Sequence, residues 1–298
     1  MTQHKRSSQE YLESYPECFG NNLFDKLYRS VVGISGSTIT KHSILNPDAP
    51  SNKRQITPFL HAGFLVYFEN HRALATITAG HIVMQLKNAE SETTKLGSLR
   101  ILDRGLCPKD NSGVPLRLSM VRAYCSYLSD EHPDYGALQL PIYESQQIIA
   151  SSEVSPVLTN EVASSSEEFE AYFMLGFPIS ARKQENIVND GKKCHIRHHL
   201  GCPLLPVTPI TDGQYAKRAN GRFVAHIDID DDPGVDDISG MSGGPVWGVR
   251  HEREKDCFVI KLVAIQSKWI KPARVIYAEY AQPFVHELEN RFDSLLAE

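Results

Sequence analysis

The hexapeptide Gly240-Met241-Ser242-Gly243-Gly244-Pro245 constrains this chain more than any other stretch of it. Glycine on both sides of a serine, closed by proline, enforces a tight turn that leaves the hydroxyl unburied. In such a turn the backbone N–H groups of Gly240 and Ser242 can converge on one point in space. A serine oxygen beside two converging amide donors is what acyl transfer needs. It is a nucleophile set next to a cradle for the oxyanion that its attack creates.

Two upstream segments extend the pattern. Ala73-Leu74-Ala75-Thr76-Ile77-Thr78-Ala79-Gly80-His81 is an apolar, β-branched run that ends in a small-residue turn carrying a histidine. His132-Pro133-Asp134-Tyr135-Gly136-Ala137-Leu138-Gln139-Leu140 places an aspartate where a loop becomes an alternating strand. The chain order is His81, Asp134, Ser242. In that order and those contexts the sequence resembles the trypsin- and chymotrypsin-like serine endopeptidases, from about Val31 to the C-terminus. Gly176-Phe177-Pro178 at a strand end and Val263-Ala264-Ile265-Gln266-Ser267 after the nucleophile carry the resemblance further.

The resemblance implies an all-β fold of two packed antiparallel β-barrels, with a short N-terminal helix and a C-terminal helix. It implies that Ser242 attacks a scissile carbonyl, His81 takes its proton, and Asp134 fixes the imidazole tautomer. The Gly240 and Ser242 amides form the oxyanion hole, and no cofactor is called for. Ser267 matches a strand serine that hydrogen-bonds the buried aspartate in many relatives, easing its desolvation. Asp236 stands where trypsin-like members hold the carboxylate that receives a P1 Arg or Lys. A solvated loop is the alternative there, since six aspartates fall between Asp228 and Asp237. Met241 departs from the digestive members, whose aspartate at this position pairs with a newly released N-terminal amine. A thioether makes no such pair, so Val31-Val32-Gly33 after Arg29 reads as ordinary first-strand sequence.

The same serine run also satisfies G-x-S-x-G, the nucleophile elbow of α/β-hydrolases, and Asp256 and His286 formally supply its acid and histidine. An elbow needs an apolar strand before the serine and a helix after it. Here Asp236-Asp237-Ile238-Ser239 precedes the serine, and Pro245-Val246-Trp247-Gly248-Val249 reads as a strand. The elbow is set aside on that context.

Composition narrows the partners. At 298 residues and 41% hydrophobic content the chain can build a sizeable core. The net charge of −5 is spread without a basic stripe, which argues against nucleic acid. The first residues lack an apolar h-region and no run is long enough for a membrane span, so neither secretion nor a membrane is expected. Cysteines stand at 18, 107, 125, 194, 202 and 257 without tight pairing. Ile82 and Ile238 occupy positions where secreted relatives commonly place bridge cysteines, so a reducing, cytoplasmic setting is expected.

Along the chain, residues 1–29 read as an extension with a short helix over 23–28, capped by Asn22. Residues 30–145 form the first barrel, with a loop over 37–57 and a hairpin leading to His81. Residues 146–282 contain a Ser/Glu-rich connection and the second barrel. Residues 283–298 form a helix with Phe284, Leu288, Phe292, Leu295 and Leu296 on its apolar positions. One constellation lies outside this scheme: Cys194, His195, His198, His199 and Cys202 offer zinc-ligand chemistry, cramped into one segment, and ordinary loop histidines are the other reading. Asp230, Asp231 and Asp232 similarly leave a solvated loop or a hard-cation site open, the loop being preferred. No metal is assigned.

The leading function is a serine endopeptidase acting on a protein or peptide substrate. An unrestrained one is harmful in cytoplasm, so control by a partner or signal, or narrow substrate choice, is expected. The alternative is a pseudo-protease or scaffold that keeps the fold and binds a protein partner.

Overall fold

A computed structural model describes residues 23–41, 54–89, 94–103, 113–128, 131–150, 154–178, 182–189, 194–227 and 237–296. Helix α1 (Leu23–Ser30) leads into β1 (Val31–Lys41), β2 (Arg54–Phe68) and β3 (Ala73–Thr78). Then come α2 (Gly80–Asn88), β4 (Thr94–Asp103), β5 (Val114–Pro115), β6 (Arg122–Leu128), β7 (Glu131–Gln139), α3 (Ile142–Ala150) and β8 (Val157–Leu158). The C-terminal half holds β9 (Ala171–Leu175), β10 (Arg182–Asn189), β11 (Cys194–Leu200), β12 (Leu204–Pro209), α4 (Gly213–Lys217) and β13 (Phe223–Ile227). It ends with β14 (Pro245–Glu252), β15 (Cys257–Ile270), β16 (Val275–Tyr280) and α5 (Ala281–Leu296).

The two halves share one topology. In the second, β9-β12-β13-β16-β15-β14 closes into a barrel, with β14 returning to β9. In the first, β1-β2-β3-β7-β6 follows the same path, and β4 sits on the other side of β1. Counting the main strands of each half in chain order, both run first, second, third, sixth, fifth, fourth. The first half differs by an open seam, since among the described residues no ladder joins β4 to β6. This is the expected all-β arrangement of two antiparallel barrels.

Why β2 and β3 are apolar on both faces follows from where those faces go. Leu65 and Leu74 point into the first barrel with Val32, Ile34, Ile82, Ile101 and Leu138. Phe64, Val66, Phe68, Ala75 and Ile77 instead join a central core with Leu175, Phe177, Trp247, Leu262 and Ile265 of the second half. A strand buried on both faces loses the polar-apolar alternation of a half-exposed one. Helix α5 seals this core through Phe284, Leu288 and Phe292, as its spacing predicts. Phe284 stacks on Tyr135 with ring centroids 4.1 Å apart, and Phe292 meets the edge of Phe68 at 4.9 Å.

Three readings are revised. The loop expected over 37–57 is in part a continued hairpin, pairing Ser37 with Pro58 and Lys41 with Arg54. Proline is tolerated because β3 joins β2 only from Phe64 onward, leaving the other edge of β2 open at Pro58. Helix α3 spans the expected boundary between the first barrel and the Ser/Glu-rich connection; it buries Ile148 but exposes Ile142 and Tyr143, so its periodicity is weak. Helix α2 stands where only a turn was read. Among the described residues no helix is long and apolar enough to cross a membrane.

Candidate active site

His81 and Asp134 meet at the foot of α2. Strand β3 runs buried to Thr78, Ala79 stays extended, and the helix starts at Gly80, so His81 lies in its first turn. Asp134 is in β7, across from Tyr127 of β6. The His81 Nδ1–H donates to Asp134 Oδ2 at 2.8 Å, and the His81 backbone N–H donates to Asp134 Oδ1 at 2.9 Å. One carboxylate thus fixes both the ring and the main chain of one residue. It also satisfies an N–H that the first helical turn leaves without an intrahelical acceptor. With its proton held at Nδ1, the neutral imidazole presents Nε2 as a base. The Tyr127 ring stands edge-on to His81, centroids 6.0 Å apart. Gly80 is required by proximity: a Cβ there would lie 2.4 Å from the Ser126 carbonyl oxygen and 3.0 Å from Asp134 Oδ1.

Ser242 sits in two fused turns. The Met241 N–H bonds the Ile238 carbonyl at 3.0 Å, and the Gly244 N–H bonds the Met241 carbonyl at 2.8 Å. Gly240 and Gly243, the third residues of these turns, have φ of +90° and +88°. Ser239 and Ser242 are not among the positive-φ residues, so both turns are type II, which needs glycine at that place. Strand β15 brackets the loop, with Gly243 N–H donating to the Gln266 carbonyl at 2.7 Å and Gln266 N–H to the Gly244 carbonyl at 2.9 Å. Met241 is fully buried against Gly176.

The two halves of the site touch through Gly243. A Cβ on it would fall 2.1 Å from Thr78 Oγ1, 2.5 Å from the Ala62 carbonyl oxygen and 2.9 Å from the Ala79 nitrogen. The serine turn of the second barrel is therefore pressed on the end of β3, just ahead of His81. Thr78, which the sequence reading passed over, holds that end by donating to the Ala62 carbonyl at 2.8 Å. Ser242 is half-buried beside this contact. Among the described residues no hydrogen bond joins its hydroxyl to the His81 ring. Sites without substrate often hold such contacts long, closing them when the substrate binds.

The remaining expectations fare differently. Ser267 does not reach Asp134: its hydroxyl donates to the Tyr277 carbonyl at 3.2 Å. The reason is a bulge, since Gln266 pairs with Ala278 and Lys268 with Tyr277, leaving Ser267 between them. Asp236 and Asp228, Asp230, Asp231 and Asp232 lie outside the described residues. Their neighbour Asp237 is described, and it is held by Lys271 Nζ at 2.8 Å and by the N–H and hydroxyl of Ser239 at 2.9 and 2.8 Å. Burial pushes its carboxyl up, but Lys271 and the Ser239 donors outweigh this and bring it down to about 2. Of the Cys/His constellation, 194–200 forms strand β11, paired with β10, and Cys202 is buried in the central core. No group of three or more His, Cys, Asp or Glu among the described residues is placed to hold a metal ion.

No family model and no curated protein matches the chain. Solved structures do. A thermostable serine protease, AL20, from an extremophilic microorganism is 13% identical with a TM-score of 0.44, over 89% of this chain and 96% of that one. A Glu endopeptidase is 11% identical at TM-score 0.45, over 89% and 91%. The active form of the Rv3671c protease from M. tuberculosis is 12% identical at TM-score 0.42, over 92% and 85%. Likenesses this distant leave the site to be read from its own geometry.

Proposed function

We propose that the chain is a serine endopeptidase that cleaves a protein or peptide substrate through an acyl-enzyme. The observation that carries this reading is the double clasp of Asp134 on His81, set where the Ser242 turn meets β3. His81 Nε2 removes the Ser242 proton as Oγ attacks the carbonyl carbon, and the amides of Gly240 and Ser242 receive the oxyanion. Collapse of the tetrahedral adduct breaks the C–N bond as His81 passes the proton to the leaving amine. Water, deprotonated by the same imidazole, then releases the acyl group and regenerates Ser242. Asp134 holds the tautomer throughout and stabilises the cation.

Specificity for P1 Arg or Lys is assigned to Asp236. A cytoplasmic setting, with restraint by a partner or by narrow substrate choice, belongs to the same proposal. One observation favours the scaffold reading instead: the missing hydrogen bond between Ser242 and His81. A fluorophosphonate probe and a casein digest separate the two. Wild type should label at Ser242 and cleave, Ser242→Ala should do neither, and Asp134→Asn should lose about 10⁴ in rate by presenting the wrong tautomer. Wild-type protein that neither labels nor cleaves would overturn the endopeptidase reading.

A further inference from the structure

We propose that Asp237 and Lys271 form a latch that sets the orientation of the oxyanion turn, acting as positioning residues for the reaction proposed above, on which this inference rests. An oxyanion hole works only if its donors already point at the developing charge. In the turn from Ile238 to Met241 the donor in question is the N–H of Gly240. Type I and type II turns differ by a flip of their central peptide, here Ser239–Gly240. A flip replaces the Gly240 N–H by the Ser239 carbonyl. Glycine takes positive and negative φ with similar ease, so Gly240 permits the observed φ of +90° without enforcing it. Something around the peptide has to choose.

Two anchors flank it. On the C-terminal side Met241 is fully buried against Gly176, which fixes the residue after the turn. On the N-terminal side the Asp237 carboxylate accepts both the backbone N–H and the hydroxyl of Ser239. This is an Asx-type turn closed on the residue that carries the flippable carbonyl. By itself such a turn is local and soft. Lys271 makes it part of the barrel: its ammonium reaches Asp237 Oδ2 at 2.8 Å from the bend between β15 and β16. Strand β15 is also the strand whose Gln266 brackets Gly243 and Gly244. Both ends of the loop are thus tied to one hairpin, the downstream end by main-chain bonds and the upstream end by the ion pair. Met241 cannot make an internal ion pair of its own, and Lys271 brings a charge to the loop from the hairpin.

The latch predicts a loss in turnover, not in binding. Lys271→Met and Asp237→Asn should each lower kcat on casein about tenfold, a fraction of the 10²–10³ that deleting an oxyanion donor costs, with KM within about twofold. Lys271→Arg should restore most of the rate. Lys255→Met, which breaks an exposed pair with Glu252 at the far end of β14 and β15, should leave it unchanged. Fluorophosphonate labelling of Ser242 should slow in parallel with kcat, while thermal melts show that the variants remain folded. A wild type that labels and cleaves, beside Lys271→Met and Asp237→Asn that do so at the wild-type rate, overturns the latch and leaves the proposed function standing. An equal loss in Lys271→Arg, or a loss confined to KM, also overturns it. A wild type that neither labels nor cleaves removes the proposed function, and the latch falls with it.

Discussion

Replacing Gly243 by alanine adds one methyl group at the only described point where the Ser242 turn touches β3 through a glycine, and its cost can be worked out. The residue has φ of +88°, where a side chain costs about 1–2 kcal/mol. The new Cβ would stand 2.1 Å from Thr78 Oγ1 and 2.5 Å from the Ala62 carbonyl oxygen, far inside contact distance. Rotating Thr78 away sacrifices its 2.8 Å bond to that carbonyl, worth about 1 kcal/mol, and leaves the clash with Ala62 itself. Backbone in a buried strand has no rotamer to escape into, so overpacking adds about 1–3 kcal/mol. The total is about 3–6 kcal/mol. Gly221→Ala is the control, because its φ is +81° but nothing lies within 4 Å of the new Cβ. It carries the backbone strain alone, about 1–2 kcal/mol, and the gain from stiffening the unfolded chain is common to both. Urea titration of the two variants should place Gly243→Ala at least about 2 kcal/mol below Gly221→Ala, with labelling of Ser242 lost only in the former. Equal midpoints with normal labelling would mean that Gly243 is not wedged between the barrels, and the juxtaposition of Ser242 with His81 would go with it.

Two further outcomes are expected. Burial, and then the hydrogen bond and charge of Glu287 with the charge of Glu279, push the Tyr135 phenol up from 10 to about 12 against the opposing effect of Arg291. Because the folded value is the higher one, the stabilisation is whole below pH 10 and is lost as the pH rises to about 12. Solvent screening of a half-buried phenol limits it to about 2 kcal/mol, and Tyr135→Phe should flatten the alkaline limb of a stability profile. On substrates, a peptide-library profile should show cleavage after Arg or Lys, and Asp236→Ser should lower kcat/KM on basic P1 residues by about two to four powers of ten while sparing small apolar ones. An acidic or apolar preference in wild type returns Asp236 to the solvated loop.

What was legible in the sequence and what was not divides along the range of the interactions. Ser242 announces itself because glycine is needed at φ of +90° and +88° on either side of it, a requirement each turn imposes within four residues. The apolar spacing of α5 is equally local, and so are the hairpins around Asn70. Helix α2 was missed because its start is not local. Gly80 reads as a breaker, and the carboxylate that satisfies the His81 N–H comes from Asp134, 53 residues away. Ser267 misled for a related reason: a one-residue bulge in β15 redirects its hydroxyl to Tyr277, and bulges leave no fixed mark in a strand's composition. Lys271 and Asp237 are 34 residues apart in stretches of mixed charge, where nothing selects this pair over its neighbours. Sequence thus exposes the candidate catalytic groups, since backbone geometry dictates their immediate neighbours. The groups that aim them are chosen by the barrel. Main-chain bonds to Gln266 and the burial of Met241 hold the downstream part of the serine turn. In the proposed latch, Lys271, on the hairpin that already grips Gly243, brings a charge to its upstream end.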